Sequence, residues 1–194
     1  MTAFPSLRRY TEAEYLALEE RAVHRSEFYR GEIFAMSGGS INHNRIVLNT
    51  VSALRTRLEA APCEVFAADM RLLVEQHRLY TYPDVAVVCG HPELVAGRND
   101  TLTNPVVIIE VLSESTERYD RVDKFRFYRA IPTLREYALI DQYAPRVEHY
   151  WKGADDVWMF EEIAGLDGAL ELRAISVALS LRDLYARVAF DASD

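Results

Sequence analysis

Tyr82-Pro83-Asp84-Val85-Ala86-Val87-Val88-Cys89 and Pro105-Val106-Val107-Ile108-Ile109-Glu110-Val111-Leu112 are two apolar runs that each carry one carboxylate. The second is rich in β-branched residues and does not alternate with polar ones. That is the pattern of a strand covered on both faces, so residues 105–112 are predicted to be a central strand. The first reads as a strand over residues 82–89. As neighbours in one sheet, these strands would bring Asp84 and Glu110 within a few ångström of each other. Two anions at ~4 Å and an effective dielectric near 20 repel by about 4 kcal/mol, a sizeable part of a domain's net stability. Either one carboxyl holds a proton or a cation sits between them; a divalent metal is the expectation here.

Around these runs the remaining elements fall into place. Thr11 with Glu14 forms a capping-box pattern, which predicts a helix over residues 12–21 with Ala13, Leu16 and Ala17 inward, covering one edge of the sheet. Residues 26–29 and 32–36 read as strands of a hairpin turning at Arg30-Gly31. After the break at Ser37-Gly38-Gly39-Ser40, helical spacing of Ile46, Val47, Val51, Leu54 and Leu58 runs from Asn42 to about Ala60, before Pro62. Residues 65–68 and 71–75 are predicted as further strands in the middle of the same sheet, and residues 90–103 as loop. A helix over residues 118–130 would turn Val122, Phe125 and Phe127 or Tyr128 to the core before Pro132. Strands are expected over 136–141, 146–152, 157–163 and 170–175. A last helix starts at Ser180 and runs through Val188, with Asp183 completing its cap.

The bulk properties narrow the class. With 194 residues, 49% hydrophobic and 27% charged, the chain fits one globular domain spanning 1–194. The formal net charge of −8 excludes binding nucleic acid through general basicity, so any such contact must use a local patch. Cys63 and Cys89, the only cysteines, have no spacing that suggests a disulfide framework or zinc knuckle and read as small core residues. No run approaches the length of a membrane span and residues 1–9 lack a secretion signal, which makes the expected setting cytoplasmic, with no membrane partner.

Read singly, the site candidates keep two readings each. Asp84 is a metal ligand or a strand-entrance cap after proline; Glu110 is a ligand or a strand-end carboxylate meeting solvent. Lys124 has Asp120 four residues before it, the spacing of a surface helix pair. Read jointly, the order of Pro83-Asp84, a strand ending Glu110-Val111-Leu112, and Lys124 on the next helix resembles the PD-(D/E)XK nuclease superfamily, and within it the restriction-endonuclease-like family called Uma. The resemblance extends over nearly the whole chain, taking in Glu27 in its hairpin, Gly38 to His43, Ser113, Thr116, Asp120 and Tyr128.

That resemblance implies an α/β (α+β) fold with a restriction-endonuclease-like core, a mixed central β-sheet flanked by helices, and extra C-terminal strands. It implies a metal-dependent endonuclease in which Asp84 and Glu110 hold Mg²⁺ or Mn²⁺. The Val111 carbonyl would be an added ligand, and Glu27 would contribute through water on the metal. The superfamily's usual lysine lies two residues after the glutamate, where this chain has Leu112; Lys124 takes that role from the following helix. The expected partner is nucleic acid, DNA foremost, bound weakly, and the alternative is a catalytically weak or inactive nuclease-fold module that binds metal, nucleic acid or a protein partner.

His43 is read as a helix cap or a substrate contact, and Tyr128 as a packing residue or a catalytic or substrate-contacting one. Arg45, Arg55, Arg57, Arg118, Arg121, Arg126 and Arg129 are read as phosphate partners or solvated helix faces. His24, His43, His77, His91 and His149 lack the spacing of a zinc enzyme, and Ser37, Ser40 and Ser113 lack a nucleophile-elbow context. The aromatics Tyr137, Tyr143, Tyr150, Trp151, Trp158 and Phe160 suit core packing or a homodimer built on the C-terminal strands.

Overall fold

The computed structural model describes residues 8–36 and 38–190; the expectations resting on residues 1–7 and on Ser37 lie outside them. Helix α1 (Glu12–Glu19) opens with the expected capping box. Thr11 Oγ1 accepts from the Glu14 N–H at 3.1 Å, and the Glu14 carboxylate accepts from the Thr11 N–H at 2.8 Å. Its inward face differs from the expectation: Ala13 and Ala17 are exposed, whereas Tyr15 and Glu19 are buried. The Tyr15 ring stacks on Phe28 at 5.1 Å between centroids. Glu19 can be buried because the Ser26 N–H and the Tyr82 hydroxyl donate to its Oε1 at 3.0 and 2.9 Å.

Strands β1 (Ser26–Tyr29) and β2 (Glu32–Ala35) turn through Arg30 and Gly31, both at positive φ. Such a two-residue turn matches the twist of the strands it joins. Helix α2 (Ile41–Arg57) buries Ile46, Thr50 and Leu54, and Ser40 Oγ caps it by accepting from the His43 N–H at 3.1 Å.

Six strands form a mixed sheet: β3 (Cys63–Ala67), β6 (Val85–Cys89), β8 (Val107–Leu112), β9 (Glu136–Asp141), β10 (Arg146–Lys152) and β11 (Trp158–Ala164). Their order is β11-β10-β9-β8-β6-β3, with β8 and β9 parallel and the other pairs antiparallel. A second sheet, in the order β2-β1-β5-β4-β7, contains β4 (Arg71–Val74), β5 (Leu79–Thr81) and β7 (Thr101–Leu102). Residues 71–75 therefore do not continue the central sheet as expected, and β5 and β7 lie where turn and loop were read. These two strands are only three and two residues long, too short to show a periodic pattern.

The last strands, β12 (Ala169–Leu172) and β13 (Val177–Ser180), make a separate hairpin, with a 3₁₀ turn, Arg173–Ile175, where the strand was expected to continue. Helix α5 (Leu181–Leu184) is shorter than predicted, and Ser180 makes no side-chain cap bond, so Asp183 completes no box.

Strand β8 lies between two cores. Val107, Ile109 and Val111 face α2 together with Val85, Val87, Ile46 and Leu54. On the opposite parity, Ile108 and Leu112 face Val88, Tyr128, Tyr137 and Leu139. The absence of alternation in residues 105–112 is thus the mark of a strand buried on both faces. One expectation is overturned nearby. Cys63 and Cys89 are not independent core side chains: they stand opposite each other in the β3–β6 register and are joined by a disulfide. Their separation of 26 residues carries no local sign of that pairing.

Candidate active site

Extending the β6–β8 register by one residue sets Asp84 opposite Glu110. Both share the parity of Val88, Ile108 and Leu112, so both carboxylates project to the side of the sheet that residues 117–128 cover. Tyr82 anchors the approach to Asp84. Its hydroxyl donates to Glu19 and accepts from Arg71 Nε at 2.8 Å, and all three side chains are buried.

The covering segment is not the continuous α-helix that was expected. It runs as α3 (Glu117–Tyr119), a wide π turn (Asp120–Lys124) and α4 (Phe125–Tyr128). The wide turn changes which residues face in: Asp120 and Lys124 are buried, and Val122, expected in the core, is 60% exposed. π turns of this kind interrupt helices frequently at functional sites.

The four acidic and basic candidates converge. Glu110 Oε1 accepts from Lys124 Nζ at 3.0 Å and from the Tyr128 hydroxyl at 2.8 Å, and its Oε2 accepts from the Asp84 N–H at 3.2 Å. Asp84 Oδ2 accepts from the Val111 N–H at 2.8 Å and lies 3.2 Å from His43 Nε2. Lys124 Nζ is 3.7 Å from Glu27 Oε1, which also accepts from the Thr81 hydroxyl, and 3.0 Å from Asp120 Oδ1. Tyr128 packs against Tyr137 and donates to Glu110. His43, too, serves as a partner of Asp84. Arg121 is not brought in: it pairs with Glu148 and Glu117, both at 2.8 Å, and does not line the cleft.

Asp120, Thr81 and Tyr119 are site neighbours that sequence reasoning did not select. For Asp120 the signal was present, because it stands four residues before Lys124. A surface ion pair has the same spacing, however, and the burial of this one was not legible.

The electrostatics follow from crowding. Burial pushes the Glu110 carboxyl up to about 8; the Lys124 charge opposes this, while Asp84 and Asp120 add to it. Burial works against a charge on His43, but the hydrogen bond to Asp84 and that carboxylate's charge outweigh it and raise the imidazole above its usual value. Tyr119, beside Glu27, is also raised, by burial first.

A pH dependence follows for the metal-free protein. Glu110 titrates higher folded than unfolded, so its contribution to stability is complete below about 4.5, the unfolded value, and is lost as pH rises through about 8. Thermal melts of the chelated protein from pH 5 to 8.5 should therefore fall with pH more steeply than those of Glu110→Gln. Parallel curves would contradict this.

The donors fit a hard divalent cation. Glu27, Glu110 and Asp120 are three carboxylates around one ammonium, Lys124, and Asp84 stands next to Glu110. Asp120 Oδ1 is buried without a hydrogen-bond partner, because Lys124 Nζ, though near, is off the line of a bond. Among the described residues, no three His, Cys, Asp or Glu side chains could enclose a metal ion. Mg²⁺ is usually held by one or two protein carboxylates, with water and phosphate oxygens completing its shell. Asp84 and Glu110, with the Val111 carbonyl, would be its holders.

Comparison with known proteins bears on this arrangement. The family model Uma2, described as "Putative restriction endonuclease", matches residues 12–183. Two relatives come from Synechocystis sp. "Uncharacterized protein sll1609" is 42% identical over 167 residues, covering 86% of this chain and 94% of that one. "Uncharacterized protein slr1290" is 34% identical over 189 residues, covering 96% and 95%. A crystal structure titled as a "putative nuclease belonging to DUF820" from Anabaena variabilis superposes with a TM-score of 0.75 at 19% identity, over 91% of this chain and 98% of the other. At that identity the likeness is one of fold. Among the described residues no helix is long and apolar enough to cross a membrane.

Proposed function

The chain belongs to the Uma2 family, and from that premise we propose that it is a nuclease hydrolysing phosphodiester bonds of nucleic acid, DNA foremost, with Mg²⁺ or Mn²⁺ as cofactor. The observation that carries this reading is the apposition of Asp84 and Glu110 across two buried strands with Lys124 Nζ 3.0 Å from Glu110. A divalent cation, if held by these carboxylates, would supply an acidified water and charge stabilisation on phosphate oxygens.

The chain's own residues do the remainder. The Val111 N–H and His43 fix the Asp84 carboxylate, while the Tyr128 hydroxyl and Lys124 fix that of Glu110. The Lys124 ammonium is held by buried partners and lines the cleft, where a preorganised positive charge stabilises the phosphorane-like transition state without reorganising at the moment of reaction. Glu27, joined to this cluster by Lys124, positions water.

Of plasmid and single-stranded oligonucleotide substrates incubated with Mg²⁺ or Mn²⁺, at least one is expected to be cut by the parent and left intact by Asp84→Ala. Cleavage by the parent that persists in excess chelator, or at parental rate in Asp84→Ala, would end the reading. A second reading is favoured by one observation: Lys124 already answers three carboxylates, and Arg57, Arg121 and Arg126 are engaged in ion pairs. On that reading the chain is a nuclease-fold module that binds metal and nucleic acid without turnover, seen in calorimetry as binding with no product.

A further inference from the structure

The cleft above the carboxylates has a second wall of different chemistry. In the β1–β2 register Glu27 stands opposite Phe34, so the Phe34 ring lies on the same face of the hairpin as the site carboxylate. Met36 follows on that face, and both line the cleft while remaining 46% and 39% exposed. The reverse face of the hairpin is occupied with core packing: Phe28 is buried against Tyr15 and Tyr80, with Ile33 packed on that cluster. Phe34 and Met36 therefore pack against no core and face an opening whose floor is acidic. Tyr119 also lines the opening, its ring 5.6 Å from Lys124 Nζ.

Two further facts limit what fits. The cleft encloses about 500 Å³, within the roughly 300–1,000 Å³ of sites that enclose one drug-sized ligand. Among the described residues lining it, Lys124 and His43 are the only side chains that can carry positive charge. A protein that grips a duplex neutralises a track of phosphates with lysines and arginines, and this cleft provides no such track. A flat apolar wall beside a carboxylate and ammonium floor instead matches the two halves of one nucleotide: an unpaired base to stack and a phosphate to hold. Single strands are bound without a sequence code by stacking bases on aromatic side chains beside a positively charged groove; this cleft supplies the aromatic half of that arrangement, with Lys124 and His43 as its cations.

We propose that Phe34 and Met36 form a stacking platform for one unpaired base, and that the substrate is single-stranded nucleic acid. This rests on the nuclease reading for where the phosphate lies. The test is fluorescence anisotropy with a fluorescein-labelled oligothymidylate, alone and annealed to oligoadenylate, titrated with the full chain in Ca²⁺ and then assayed for cleavage in Mg²⁺ and Mn²⁺. The single strand is expected to bind at least about ten-fold more tightly than the duplex. Phe34→Ala is expected to weaken single-strand binding by roughly 5- to 150-fold, the range of one lost stacking contact, while Phe34→Trp retains it. An unchanged melting temperature in Phe34→Ala, whose ring is half in solvent, shows that the fold is intact. Equal or tighter duplex binding, no single-strand binding, or a Phe34→Ala curve overlying that of the parent overturns the platform. Single-strand binding that depends on Phe34 but is never followed by cleavage upholds the platform and removes the nuclease reading.

Discussion

Lys124→Ala is expected to lower the rate of phosphodiester cleavage by about 100- to 1,000-fold, the usual loss when one preorganised donor is removed from a transition state. Lys124 is the one ammonium lining the cleft among the described residues, and it is held within 3.0 Å of Glu110 and Asp120 and 3.7 Å of Glu27. The variant should also carry a signature that a merely inactive protein would lack. Without the ammonium, Glu110 keeps only the Tyr128 hydroxyl on Oε1, and Asp120 Oδ1, which has no hydrogen-bond partner, loses its ion pair. Leaving a buried charge without its partner costs about 3–5 kcal/mol. A divalent cation offsets part of that cost, so Mg²⁺ should raise the melting temperature of Lys124→Ala by more than it raises the parent's. In Asp84→Ala the Mg²⁺ increment should vanish. A Lys124→Ala enzyme that cuts like the parent would remove Lys124 from the machinery.

His149→Ala should cause a large loss of stability at a site away from the cleft, about 3–5 kcal/mol, read from the urea midpoint. His149 is fully buried. Its Nε2 lies 2.7 Å from Glu136, itself 1% exposed, and its Nδ1 lies 3.0 Å from Glu161. It thereby ties β10 to β9 on one side and β11 on the other, and Glu136 also accepts from the Ala174 N–H at the turn before β13. Truncating the imidazole strands the Glu136 carboxylate in an apolar interior. Adding Glu136→Gln should restore part of the loss, because an amide costs less to bury than an ion and still accepts from Ala174. A midpoint equal to the parent's would show that the pair contributes nothing net. Since the cluster does not touch the carboxylates of the cleft, the Mg²⁺ dependence of melting should persist.

The sequence made β8 and the β1–β2 hairpin legible for a physical reason. A strand buried on both faces must be apolar throughout, and a two-residue turn at positive φ favours glycine at Gly31. The apposition of Asp84 and Glu110 was legible only as a conditional statement, since it depends on β6 and β8 pairing antiparallel in one register. Other features belong to tertiary structure alone. The partition of β4 and β5 into a second sheet, the disulfide, and the polar network of Glu19, Tyr82 and Arg71 all depend on which distant segments meet. Arg71 and Glu19 are of residue types normally found at the surface, and they are buried here because each finds its donors or acceptors elsewhere in the chain. The inward reading of Val122 failed on the same ground, since a uniform helical period was applied to a segment that does not keep one.

That π turn has a consequence for how the segment can vary. Successive residues of a helix are rotated by about 100°, so inserting or deleting one residue swings everything beyond it by more than a quarter turn. The single over-wide turn at Asp120–Lys124 sets the azimuth of Lys124 and, through α4, that of Tyr128 relative to Glu110. The outward side chains there, Val122 among them, are free to change identity. The residue count between Thr116 and Tyr128 is not, because it acts as a phase setting for both donors to Glu110.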